Sequence, residues 1–315
     1  MNRPLQKTIY FVFLIIKYKA AILPRRVILF WGRVLGLIFY LLDKRHRDVA
    51  LKNLTLALGG SSSPGDRKKI ARRSFMHFGQ MLMDLIKFMT LCSEKRDALL
   101  TVSGGKHLEN ALRRGKGALI VTAHYGSWEM GISGLARFGK VDAIARALDN
   151  EFIEKELHNL RASLGARVIY KNRAARETLR SLKDNHIVAI LIDQNVLREQ
   201  AIFVDFFGKE AATTPALATF HLRTGASIIP GFCYPTPART YHLQLSEPLQ
   251  ITLSGNREID VAAITQACTR TIEDQIGQNP QYWLWFHDRW RTQPKDPVEP
   301  EAHLSIPDEQ QDREE

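Results

Sequence analysis

Apolar positions open the chain in two long stretches and recur afterwards in short ones. Ile9 to Ile16 is an unbroken apolar or aromatic run, closed by Lys17 and Lys19. Ala20 to Leu23 resumes it, and Pro24-Arg25-Arg26 breaks it again. Val27 to Leu42 is then apolar apart from Arg33 and two glycines. Neither stretch has the roughly 20 uninterrupted apolar residues of a simple spanning helix. Lysines near a helix end can snorkel to an interface. Residues 1–43 are therefore expected to form a membrane-associated helical segment, either a single anchor or a pair of interfacial helices. The alternative is that Val27–Leu42 is a buried core helix. No small-residue cleavage site follows the first run, which argues against a removed signal peptide.

Helical spacing continues over Asp43–Leu58, where Val49, Leu51, Leu54 and Leu58 recur among basic residues. Gly59 to Gly65 is a Gly/Ser/Pro break, and Asp66–Met89 is a second helical tract. From residue 100 the pattern changes to short apolar runs that end in polar loops. Thr101 to Gly105, Gly117 to Thr122, Val141 to Ala145, Arg167 to Tyr170, Ile187 to Ile192, Ser227 to Tyr234 and Tyr241 to Leu245 read as strands or extended segments. Phe152–Leu164, Ala174–Asp184, Thr213–Thr224 and Ile259–Gly277 read as helices. Such alternation predicts an α/β fold, a mixed sheet covered by helices. Residues 44–292 form the predicted catalytic domain.

Composition sharpens this picture in three places. Residues 1–50 hold ten basic and two acidic side chains, so the start is strongly cationic. That charge suits a polyanion. The basic residues interrupt apolar stretches, which favours an anionic membrane over a nucleic acid as the partner. Residues 293–315 reverse the sign, with eight acidic residues and four prolines, and read as a mobile, non-catalytic tail. The three cysteines, Cys92, Cys233 and Cys268, are far apart, which excludes a disulfide scaffold and a cysteine-built zinc site.

The sharpest candidate chemistry is Thr122-Ala123-His124-Tyr125-Gly126-Ser127-Trp128-Glu129, directly after a predicted strand. Catalytic groups in α/β folds gather beyond the C-terminal ends of strands. Histidine can take a proton from a hydroxyl near neutral pH. Glu129 is expected to accept a hydrogen bond from one ring nitrogen, leaving the other free as general base. The arrangement is then a serine-protease-like triad in which the substrate hydroxyl replaces the serine. Gly126 permits a sharp turn, and the backbone N–H groups near it are the first candidates for stabilising an oxyanion, with an arginine second. Ser127 is the rival nucleophile, but no G-x-S-x-G elbow surrounds it. A His and an acid five residues apart also occur by chance. No H-E-x-x-H is present, and the mechanism needs no metal.

These elements, taken in order, resemble the bacterial lipid A biosynthesis acyltransferases, the late lauroyl and myristoyl transferases. An H-x4-D/E element stands at His124 to Glu129, an arginine helix before a glycine at Arg161 to Gly165, and an Asp-Gln pair at Asp193-Gln194. Phe206-Phe207-Gly208, Thr214-Pro215 and the closing Tyr282 to Trp290 follow. The resemblance implies a glycerolipid-acyltransferase-like fold and an O-acyltransferase. It implies an acyl thioester donor, acyl carrier protein or coenzyme A, and no cofactor. It implies a glycolipid acceptor and a location on the cytoplasmic side of the bacterial inner membrane. Arg161 and Arg289 are expected either to contact phosphate or to form internal ion pairs. Asp193 either serves the site or caps the next element. Gln194 either orients a substrate group or holds a turn. His287 is expected to be a satisfied core histidine.

Overall fold

The computed structural model describes residues 3–170 and 174–294; the expected acidic tail lies outside the described residues from 295 onward. The first part of the chain is helical: α1 (Arg3–Ile22), α2 (Arg25–Leu42), α3 (Lys44–Leu58), α4 (Pro64–Met89) and the short α5 (Ser93–Asp97). Local chemistry sets the breaks. Pro24 separates α1 from α2, as a residue that cannot continue a helix donor ladder. Asp43 follows α2 and caps α3, its side chain accepting from the His46 N–H. Ser63 caps α4 in the same way through the Asp66 N–H, with Pro64 in the first turn.

Strands and helices then alternate as β1 (Leu100–Ser103), α6 (Gly105–Arg113), β2 (Ala118–Thr122), α7 (Trp128–Leu135), β3 (Val141–Ala145), α8 (Glu151–Ser163), β4 (Ala166–Tyr170), α9 (Ala174–Lys183) and β5 (Ile187–Leu191). A two-stranded antiparallel ribbon, β6 (Ile202–Phe206) and β7 (Lys209–Thr213), follows. The order then runs α10 (Ala216–Thr224), β8 (Ser227–Pro235), β9 (Tyr241–Leu245) and α11 (Arg257–Gln278). Seven strands form one sheet in the order β1-β9-β8-β2-β5-β3-β4. Only β8 and β9 pair antiparallel in it, so the sheet is mixed, as the alternation predicted.

β2 shows why the sheet is buried on both faces. Leu119, Val121 and Ala123 pack into one core cluster with Phe75, Trp283, Trp285 and Trp290. Ala118 and Ile120 point the other way, into a second cluster with Met130, Leu135 and Leu243. Period-two alternation of apolar residues therefore feeds two cores, and the strand reads as a continuous apolar run.

The expected membrane-associated segment at the N-terminus requires correction. Among the described residues no helix is long and apolar enough to cross a membrane. Lys17, Lys19, Arg25, Arg26 and Arg33 punctuate the apolar runs, and two of them make internal contacts with the rest of the fold. Lys17 pairs with Glu156 at 2.6 Å, and Tyr10 donates to the same carboxylate at 2.9 Å. Arg25 donates to the buried Asp84 through Nε at 2.8 Å. Lys87 donates to the carbonyls of Ala21 and Leu23, satisfying the end of α1. α2 lies directly on α4: a methyl placed on Gly32 would stand 2.6 Å from the Gly79 carbonyl oxygen. α1 and α2 are thus bound to the rest of the fold, with Phe11, Phe30, Trp31 and Leu42 left exposed on their other sides. The single anchor, one of the two forms expected of this segment, is thereby overturned, and the membrane-associated segment and the inner-membrane location inferred with it lose their support.

Candidate active site

β2 and β5 are parallel neighbours, and Thr122 stands opposite Leu191. Two residues beyond each strand end come His124 and Asp193. Strand register alone therefore brings an imidazole and a carboxylate together from positions 69 apart in sequence. His124 Nδ1 lies 2.9 Å from Asp193 Oδ1. The other carboxylate oxygen accepts from the His124 backbone N–H at 2.9 Å and from the Trp283 indole N–H at 2.8 Å. Asp193 is buried, and burial works to raise its carboxyl; the His124 charge and these hydrogen bonds outweigh it and hold the group below its ordinary range.

A carboxylate accepts and cannot donate, so the proton of His124 sits on Nδ1 and the lone pair on Nε2. Gln194 Nε2 lies 3.2 Å from that atom and donates to it. His124 is half-buried, with the Trp128 ring 5.0 Å away edge-on. The strand register thus delivers an oriented histidine whose Nε2 is held by a displaceable amide.

Glu129 does not meet His124. The chain turns at Gly126, which has φ +63°, and Ser127 leads into α7. Glu129, in the first turn, points to α8 and pairs bidentately with Arg161, the Nε contact being 2.9 Å. Both side chains are buried. Burial works against the Arg161 charge, and Glu129 more than offsets it, raising the guanidinium above its ordinary range. The acid expected five residues after the histidine braces an arginine, while the Asp-Gln pair holds the imidazole.

The turn also redirects the expected oxyanion donors. The Gly126 N–H donates to the Tyr282 carbonyl at 2.9 Å and the Ser127 N–H to the Cys233 carbonyl at 2.7 Å. A Cβ on Gly126 would come within 2.9 Å of the Tyr234 Cα, so only glycine fits this close approach. Arg289 is likewise withdrawn from substrate. It is fully buried and donates to the Ala212 carbonyl and the Thr213 hydroxyl, and burial lowers it to about 10. His287 accepts at Nε2 from the Asn195 N–H at 3.0 Å and borders the same cavity as His124.

That cavity is the largest feature of the site, with a volume of about 1580 Å³. Ligand pockets commonly span about 300–1,000 Å³. His124, Glu129, Arg161 and Gln194 stand at its wall. Ile120, Ala143, Ala189, Gly231 and Leu243 line it from the sheet. Ile9, Val12, Phe13 and Ile16 of α1 line it from above, so the first apolar run of the sequence is a wall of this cavity.

Comparison with known proteins finds relatives along most of the chain. The family described as bacterial lipid A biosynthesis acyltransferase matches residues 2–292. A phosphatidylinositol mannoside acyltransferase of Mycobacterium tuberculosis is 29% identical over 224 residues, 69% of each chain. A lipid A biosynthesis lauroyltransferase of Escherichia coli is 25% identical over 282 residues, covering 87% of this chain and 88% of that one. A lipid A biosynthesis palmitoleoyltransferase of the same organism is 24% identical over 274 residues, covering 86% and 87%.

Proposed function

The chain belongs to the bacterial lipid A biosynthesis acyltransferase family, and from that premise we propose that it moves a fatty acyl chain from a thioester donor to a glycolipid hydroxyl, with His124 as general base. Acyl transfer onto lipid-type substrates is the family's common ground. The donor in this reading is acyl carrier protein or coenzyme A, and the acceptor is a lipid A precursor or related glycolipid. The observation that carries it is one geometry: an imidazole aligned by Asp193 at the wall of a 1580 Å³ apolar cavity.

The steps follow from that geometry. The acceptor hydroxyl displaces the Gln194 amide and donates to His124 Nε2. As its oxygen attacks the thioester carbonyl, the proton passes to Nε2, and Asp193 stabilises the imidazolium. The tetrahedral intermediate collapses by expelling the thiolate, which takes the proton back from His124. The N–H groups of Trp128 and Glu129, in the first turn of α7, have no acceptor among the described residues and serve the developing oxyanion. Glu129 fixes Arg161 beside them. The acyl chain occupies the apolar cavity, where burial of each methylene contributes about 0.8 kcal/mol.

A second acceptor class has its own support. Three relatives are named phosphatidylinositol mannoside acyltransferases, at 28–29% identity. A panel decides between the two. The purified full chain is incubated with labelled acyl carrier protein or acyl-coenzyme A and with lipid A precursors or phosphatidylinositol mannosides. Labelled product with either acceptor supports acyl transfer and identifies the acceptor. No product across the panel, with donors shown competent on another enzyme, overturns it in favour of a lipid-binding protein without turnover.

A further inference from the structure

A second recess, of about 400 Å³, opens between α2, α4 and the β8–β9 turn. Four arginines line it from these three elements: Arg25 and Arg33 from α2, Arg73 from α4, and Arg239 from the turn. Among the described residues no carboxylate lines it. Arg25 is neutralised by Asp84 behind it. The guanidinium groups of Arg33, Arg73 and Arg239 have no hydrogen-bond acceptor or ion-pair partner among the described residues. Three like charges gathered round one concavity repel each other until an anion enters.

We propose that this recess binds a phosphoester of one of the two substrates. Planar guanidinium forks match phosphate oxygens bidentately, and arginine from separate elements is the usual means of gripping such a group. The volume falls in the range of small-ligand pockets and is concave, which suits a headgroup better than the face of a protein. The recess also joins the reaction centre. Met81 of α4 borders both cavities. His77, on the recess wall, meets the Gly126 carbonyl at 3.1 Å, two residues from His124. Tyr282, on the opposite wall, accepts the Gly126 N–H. A phosphate held here is joined to the reaction centre through Met81 and the Gly126 turn. Arg161 and Arg289, the arginines that sequence alone marked for phosphate, are both occupied internally.

The test combines direct binding with kinetics, and only its kinetic arm rests on the acyl-transfer reading. Inorganic pyrophosphate is titrated calorimetrically into the full chain, into Arg73→Gln/Arg239→Gln and into Arg73→Lys/Arg239→Lys. The Gln pair is expected to weaken binding about tenfold or more, and the Lys pair to restore part of it. Both replaced positions are exposed, and melting temperature checks that the fold is retained. In the kinetic arm, a raised KM for the phosphorylated acceptor but not for its phosphate-stripped form assigns the site to the acceptor. A raised KM for acyl-coenzyme A but not for acyl-pantetheine assigns it to the donor. Equal pyrophosphate affinity in wild type and the Gln pair overturns the proposal. That outcome with a raised KM for acyl carrier protein alone assigns the patch to protein docking instead. If no acyl transfer is found, loss of pyrophosphate affinity still supports the site.

Discussion

Asp193 receives three hydrogen bonds, two from His124 and one from Trp283, and so fixes both the position and the tautomer of the imidazole. Replacing it with asparagine removes the negative charge while keeping the size. Asp193→Asn is expected to lower kcat by about 10³-fold or more with little change in KM. Glu129→Gln should act differently. It leaves the buried Arg161 without its partner, which costs about 3 kcal/mol of stability. Urea unfolding and steady-state kinetics on both variants separate the two roles; the opposite pattern would return Glu129 to the imidazole. Sequence spacing marked His124 but paired it with the wrong acid. The helix that starts after Ser127 carries Glu129 toward α8, a change of direction that spacing does not encode. The signal for Asp193 was its place just beyond the apolar run Ile187–Ile192; the parallel pairing that sets that run beside the strand before His124 is visible only in the fold. His77 supplies a pH prediction. Burial pushes its imidazole down to about 4 from 6.5, and the hydrogen bond to Gly126 only partly opposes this. Between those values the unfolded chain binds a proton that the folded one excludes. Stability therefore falls as pH drops from about 6.5 to about 4, by an amount on the order of 3 kcal/mol. Denaturation midpoints across that window should show the decline, and His77→Gln should flatten it.

Among the elements, α2 and α4 make the closest approach. Gly32 and Gly36 of α2 face Gly79 of α4, and a methyl on Gly36 would stand 2.7 Å from the Met76 Cα. Backbone blocks that space, so neither helix can yield by moving a side chain. Gly36→Ala is expected to cost about 2 kcal/mol or more, read as a lower melting temperature; an unchanged melting temperature would show the helices free to separate. Strands β2, β3, β4, β5 and β8 were legible because each is a short, mainly apolar run bounded by turn residues, and β9 because its apolar residues alternate with polar ones. The β6–β7 ribbon was not: Phe206-Phe207-Gly208 was marked as a motif, but Ile202–Phe206 and Lys209–Thr213 mix charge with apolar residues and carry no plain alternation. The helices α1 and α2 were legible as apolar helices broken at Pro24. Their docking was not, because it depends on Glu156 and Asp84, which lie far off in sequence.

For the whole molecule, the strand register that aligns His124 with Asp193 also sets the depth of the apolar cavity. Ala189 lies four residues before Asp193 on β5 and lines the wall, about 13 Å along the strand. Ala189→Leu should fill that depth and shift the preferred acyl donor to a shorter chain, measured as kcat/KM over a donor series; an unaltered preference would move the chain elsewhere. The α/β class and the mixed sheet were readable from the order of apolar runs. The cavity was not, since its lining comes from α1, α4, α8 and the sheet at once. The central claim is that His124 takes the acceptor proton. Its most direct measurement is single-turnover transfer from a labelled acyl thioester by His124→Ala, with fatty-acid binding to the cavity followed in parallel. The predicted result is unchanged binding with transfer slowed by about 10³-fold or more. Transfer at the wild-type rate by this folded variant would contradict it.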